Sequence, residues 1–164
     1  MALSPRAVEG TLVVPKGARF AIVASRFNGL IVEPLVQGAI DAIVRSGGDG
    51  DAVTIVRCPG AWELPQVVRR VIDRGGVDAV IALGAVIRGA TPHFDYVAGE
   101  ASRGLAQASS DFETPIGFGL LTCDDDAQAR ERAGGAHGNK GWDAALAALE
   151  MADLFDRLDA ADAS

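Results

Sequence analysis

Three observations predict a three-layer α-β-α sandwich, with a four-stranded parallel sheet covered by helices on both faces. The hydrophobic period alternates along the chain between short apolar runs and helical stripes, in the order βαβαβαβα. The run AVIALGAVI at Ala79–Ile87 is apolar at every position, as a central parallel strand covered on both faces should be. The connections are a few residues long and carry proline near helix starts and glycine past helix ends.

The elements follow in order. RFAIVAS at 19–25 is a first strand, rich in strand formers. Leu35, Val36, Ala39, Ile40 and Ile43 recur at helical spacing, with Pro34 expected in the first turn and Gly47-Gly48 closing the helix. Residues 53–56 form a second strand. Leu64, Val67, Val68, Val71 and Ile72 form the next helical stripe, with Pro65 near its start. After the central strand, Val97, Ala101, Leu105 and Ala108 mark a third helix. A fourth strand at 116–122, a polar helix at 125–133 and a long helix at 141–158 complete the chain. Residues 1–15 read as a flexible arm, 16–158 as one domain and 159–164 as a frayed tail. The arrangement is flavodoxin-like.

Composition narrows the function. The 164 residues carry a formal net charge of -7, with only two lysines, Lys16 and Lys140. An acidic chain without a basic stripe is a poor match for nucleic acid, whose binding rests on neutralising phosphates. No apolar stretch approaches the ~20 residues of a membrane span, and no basic segment followed by an apolar one opens the chain. A cytoplasmic location is expected. Cys58 and Cys123 have no metal-ligand spacing, so two free thiols and no metal are expected.

In a sheet of this kind, ligands bind beyond the carboxyl ends of the strands. There the sequence places Arg26-Phe27-Asn28, Gly60-Ala61-Trp62-Glu63 and Arg88-Gly89-Ala90-Thr91-Pro92-His93. Thr91 is suited to cap a helix with Pro92 in its first position, leaving His93 at an N-terminal end that favours anions. That positive end also favours an uncharged imidazole able to accept a proton near pH 7. Taken singly, Phe27 suits the core as well as a stacking platform, and Glu63 suits a first helical turn as well as a ligand. Arg132 and Lys140 flank a glycine-rich turn and are spaced to form an anion site or a solvated helix end. His137, between glycines, reads as an exposed loop residue.

The segments RFN at 26–28, PGAWELP at 59–65, LGAVIRGATPHFDYV at 83–97, FGLLT at 118–122, and ERAG followed by GNKG at 131–141 occur in this order. Together they resemble the 6,7-dimethyl-8-ribityllumazine synthase family, which carries out the penultimate step of riboflavin biosynthesis. The resemblance implies condensation of 5-amino-6-(D-ribitylamino)uracil with 3,4-dihydroxy-2-butanone 4-phosphate, without cofactor. It implies His93 as general acid/base, and Arg132 with the N–H groups of Ala90 and Thr91 as phosphate ligands. It implies Phe27, Asn28, Ala61, Trp62, Glu63, Ala85, Val86, Ile87, Phe118 and Lys140 around the pyrimidine and ribityl chain. In the family, Phe118 and Arg132 come from a neighbouring subunit.

Family members form homopentamers, some closed into 60-subunit icosahedral shells, and the uninterrupted turn at 134–139 permits the shell. Riboflavin synthase is an implied partner. Ala144, Ala145, Ala147, Ala148 and Ala152 are expected to pack against neighbouring subunits. The departure is Trp62, where the family most often has Phe; the larger ring suits flavin-like ligands. Three rival readings remain open here: a flavin-binding or storage protein on the same scaffold, a flavodoxin-like electron carrier, and an enzyme using Cys58 and His93 as nucleophile and base.

Overall fold

The computed structural model describes residues 3–163. Its elements are β1 (Phe20–Ser25), α1 (Gly29–Arg45), β2 (Thr54–Cys58), α2 (Leu64–Arg74), β3 (Ala79–Ile87), α3 (His93–Asp111), β4 (Ile116–Cys123), α4 (Asp126–Arg132), β5 (Ala133–Gly135), β6 (Gly138–Asn139) and α5 (Lys140–Asp162). Strands β1–β4 form one parallel sheet in the order β2-β1-β3-β4, so the winding reverses between β1 and β3. That reversal opens a crevice at the carboxyl ends of the inner strands.

Strand alternation divides the interior into two layers. Phe20, Ile22 and Ala24 of β1 face α1 and α5, where Leu35, Ile43, Ala145 and Leu149 are buried. Ala21 and Val23 face the other way, against Leu64, Val68 and Leu105 of α2 and α3. β3 contributes to both layers, which explains its unbroken apolar run. Close approach needs missing side chains at two points. A Cβ at Gly117 would meet the carbonyl of Ala144, and one at Gly141 would meet the backbone of Leu35. These glycines let α5 lie directly on β4 and α1.

Several expectations are corrected. Pro34 is not in a first turn but inside α1, because the helix starts at Gly29, with the N–H groups of Ile31 and Val32 donating to the Asn28 carbonyl. The Gly47-Gly48 stop holds: Gly47 donates to Val44 and Gly48 to Ile43, closing the helix with Gly47 at φ 94°. The last helix continues to Asp162, because the stretch Asp159-Ala160-Ala161-Asp162 extends it with no apolar stripe to mark its end. Ala144, Ala145 and Ala148 are buried against this chain's own sheet; of the five alanines expected to meet a neighbour, Ala147 is exposed.

The segment before β1 is fastened at two points. Thr11 donates from N and Oγ1 to Asp153 Oδ2 at 2.7 and 2.9 Å, and Val14 donates from N to the Ser46 carbonyl at 2.8 Å. The β5–β6 ribbon is a further element the periodicity does not announce. No helix among the described residues is long and apolar enough to cross a membrane.

Candidate functional site

A cleft at the switch point encloses about 840 Å³, within the range of small-molecule sites. Its back wall is the end of β3 at Ala85, Val86 and Ile87. One side is the turn after β1, with Phe27 and Asn28, and the next is the turn after β2, from Pro59 to Glu63. The loop before α3 and the first residue of that helix close it with Gly89, Thr91 and His93.

Each turn is held by its own chemistry. Asn28 adopts the left-handed region at φ 59°, where Asn is tolerated better than most residues, and donates from Nδ2 to the Ala85 carbonyl at 2.8 Å. That bond ties the first turn to the back wall, so the Asn28 amide is partly committed to structure. Phe27 N donates to the Pro59 carbonyl at 3.1 Å, joining the first and second turns. The Gly60–Glu63 turn is braced by Gly60 N donating to Glu63 Oε2 at 3.0 Å and by Glu63 N donating to the Gly60 carbonyl at 3.2 Å. Glu63 therefore shapes the loop that presents Trp62, with Oε1 outside that bond. Against this frame Phe27 and Trp62 stand 70% and 57% exposed. Large aromatic rings held out of a core are available to stack on a flat ligand.

His93 is the first residue of α3, and its N-cap position is Pro92, which makes no side-chain cap bond. The expected Thr91 cap is thus not formed. No side chain caps the start of α3, and an uncapped helix N-terminus suits an anion. Phe94, Tyr96 and Val97 also line the cleft, and sequence reasoning passed over them. The signal was present: positions 96 and 97 lie three and four beyond His93, on the same helical face.

The remaining predicted residues are elsewhere. Phe118 pairs with Ala82 on β3, three residues short of Ala85, and is 52% exposed beside Leu105 and Ala106 of α3. Arg132 ends α4, donating from Nη1 to the Gln128 carbonyl at 3.1 Å. Burial pushes the Cys123 thiol up and the nearby Arg132 guanidinium opposes that shift, which places Arg132 at the carboxyl end of β4. Lys140 opens α5 and donates to Asp143 Oδ2 at 3.2 Å. Ala133 pairs with Asn139 in the ribbon, so the backbones at 132 and 140 emerge side by side, yet neither side chain lines the cleft. One chain brings Phe27, Asn28, Ala61, Trp62, Glu63, Ala85, Val86, Ile87, Thr91 and His93 together, with Ala90 exposed in the same loop. It does not bring Phe118, Arg132 or Lys140 to them.

The cysteine reading loses its chemistry. Burial pushes the Cys58 thiol up, the Glu63 carboxylate adds to that, and Sγ donates to the Gly60 carbonyl at 3.5 Å. Such a thiol stays protonated and is a poor nucleophile. Both cysteines are free, and no group of acidic, His or Cys side chains among the described residues is arranged to hold a metal.

A family model described as 6,7-dimethyl-8-ribityllumazine synthase matches residues 17–156. Curated proteins of that name are similar over most of their length. The Aquifex aeolicus (strain VF5) protein is 56% identical over 150 residues, covering 92% of this chain and 97% of that protein. The Chlorobaculum tepidum protein is 53% identical over 151 residues, covering 92% and 97%. Because the match runs unbroken from before β1 into α5 and takes in every turn that forms the cleft, this chain belongs to the 6,7-dimethyl-8-ribityllumazine synthase family.

Proposed function

We propose that this chain condenses 5-amino-6-(D-ribitylamino)uracil with 3,4-dihydroxy-2-butanone 4-phosphate, giving 6,7-dimethyl-8-ribityllumazine, inorganic phosphate and two waters. The observation that carries the reading is the convergence of two exposed aromatic rings, a strand end and His93 on one cleft at the sheet's switch point. The chemistry needs an amine to add to a ketone, phosphate to leave and the ring to close with loss of water. Those steps require orientation and proton transfer.

Phe27 and Trp62 stack on the pyrimidine, with the backbone at Ala85, Val86 and Ile87 against its edge. Ala61, Asn28 and Glu63 hold the ring and ribityl chain. His93 moves protons between the amine, the carbinol and the departing groups. The N–H groups of Ala90 and Thr91 receive the phosphate, and Arg132 supplies its counter-charge. Because Phe118, Arg132 and Lys140 lie outside the cleft of their own chain, we assign Phe118 and Arg132 to the cleft of a neighbouring copy, with Lys140 lining the completed site. Self-association into a homopentamer, its closure into a 60-subunit shell, a cytoplasmic location and riboflavin synthase as a partner belong to the same proposal.

The test is a mixing assay: both substrates with purified protein, following lumazine absorbance against a no-enzyme control. Acceleration that Arg132→Ala loses mainly through poorer use of the phosphate substrate supports the reading. No acceleration, with riboflavin still bound, would replace it by a flavin-binding role.

A further inference from the structure

Arg88 is the residue on which the proposed phosphate loop closes. It leaves β3 with its N–H on the Cys123 carbonyl at 2.9 Å, and its guanidinium then reaches in three directions. Nε donates to Asp124 Oδ1 at 3.1 Å, just past β4. Nη1 lies 3.4 Å from Asp95 Oδ1, in the first turn of α3. The guanidinium carbon sits 4.4 Å from the centre of the Phe94 ring. Arg88 thus spans its own loop and grips the two residues that follow His93. The intervening Gly89, Ala90, Thr91 and Pro92 are all exposed, and nothing lies within 4 Å of where a Cβ on Gly89 would be. Their placement depends on the two ends of the loop.

Charge points the same way. Asp95 and Asp124 stand at the end of the sheet where an anion is to be received, and Arg88 offsets both. A guanidinium already shared between two carboxylates is occupied as an ion-pair partner, which makes it a brace for the loop rather than a direct phosphate ligand.

We infer that Arg88 is a positioning residue, holding the 89–92 loop and the first turn of α3 so that the phosphate-bearing substrate is bound productively. This rests on the proposed condensation, so the experiment has two independent readouts. The first is steady-state kinetics of Arg88→Met and Asp124→Ala on the full-length protein. KM for the butanone phosphate should rise about tenfold in Arg88→Met, with KM for the pyrimidine changed less than about twofold, from the loss of two ion pairs and a ring contact.

Asp124→Ala separates geometry from charge. It removes a carboxylate that repels phosphate, yet it loosens the brace, so positioning requires KM for the phosphate substrate to rise in this variant too. The second readout is amide exchange of residues 89–95. It should quicken about tenfold in Arg88→Met while residues 98–108 of α3 keep their wild-type protection. Unchanged exchange at 89–95 overturns the inference whether or not the chain is catalytic. An active wild type whose two variants match it in KM for the phosphate substrate also overturns it, and leaves the condensation itself standing.

Discussion

The cleft at the ends of β1, β2 and β3 and the outlying group of Phe118, Arg132 and Lys140 differ in how much a single chain supplies. The turns of the cleft are tied to one another within the chain, Asn28 to Ala85, Phe27 to Pro59 and Gly60 to Glu63. Phe118 stands half exposed beside α3, while Lys140 donates to Asp143 and Arg132 to the Gln128 carbonyl of its own helix. The difference separates two tasks. Under the proposed function, recognition of a flat ring is built into the fold of one copy, whereas the counter-charge for an anion is to come from a second copy.

The sharpest way to break that comparison is complementation. His93→Ala should lower kcat/KM about 100-fold, as expected for loss of a general acid/base. Arg132→Ala should cost about 30-fold, mostly in use of the phosphate substrate. If the two residues of one site come from different chains, refolding an equal mixture of the inactive variants rebuilds intact sites. Random assembly would then return about a quarter of the wild-type activity. A mixture no more active than the mean of its two components would place both residues in one chain's site.

Asn139 gives the next effect. Its Oδ1 accepts from Gly141 N at 2.9 Å and Trp142 N at 3.1 Å, capping α5, while Nδ2 donates to the Pro34 carbonyl at 2.9 Å. One side chain therefore caps a helix and ties the ribbon beside Arg132 and Lys140 to α1. Asn139→Ala should lose about 2 kcal/mol of stability, read by denaturant unfolding, through a lost cap and an unpaired carbonyl. Phosphate use should suffer with it while riboflavin binding in the self-braced cleft stays near wild type. Equal damage to both would dissolve the distinction between the two regions.

A smaller effect is expected at Trp62, inside the cleft. Trp62→Phe keeps an aromatic wall but loses ring area, so turnover should stay within a few-fold and riboflavin affinity should fall by about threefold to tenfold. Equal riboflavin affinity in the two proteins, measured by fluorescence quenching, would show that the indole is not the stacking surface.

The same division governs what could be read from the sequence. β3 was legible to its ends because burial on both faces leaves an uninterrupted apolar signature at Ala79–Ile87. The turns of the cleft were legible because each carries an aromatic beside a polar residue directly after a strand. The β5–β6 ribbon was not, since it consists of glycines and small residues paired through backbone alone, with Gly134 and Gly138 at positive φ. Pro34 misled because proline inside a helix is rare, and here a left-handed Asn28 starts α1 five residues before the proline's own position suggests. Tyr96 was hidden in a motif read for His93, although helical spacing alone would have put it on the same face.

The anchored arm was illegible for another reason: Thr11 meets Asp153 across 142 residues of sequence, and nothing local marks the pair. It lies outside both compared regions, so its disturbance should leave the cleft untouched, and it is the mildest test. Arg157, donating to Asp153 Oδ2 at 2.7 Å, holds that carboxyl below its usual range, and Thr11 adds to the effect against the opposing cost of burial. A depressed native pKa stabilises the docked arm fully above the unfolded carboxyl value of about 3.9. The contribution is lost as pH falls through the lower, native value. Exchange of the Thr11 amide should therefore stay slow from neutral pH down to about 4 and quicken below it. In Asp153→Asn, which cannot gain or lose charge, the acid-dependent part of that opening should vanish while condensation at neutral pH stays within about twofold of wild type. If the variant opens at the same acid midpoint as the wild type, another carboxylate governs the arm and Asp153 is only a neutral acceptor for Thr11.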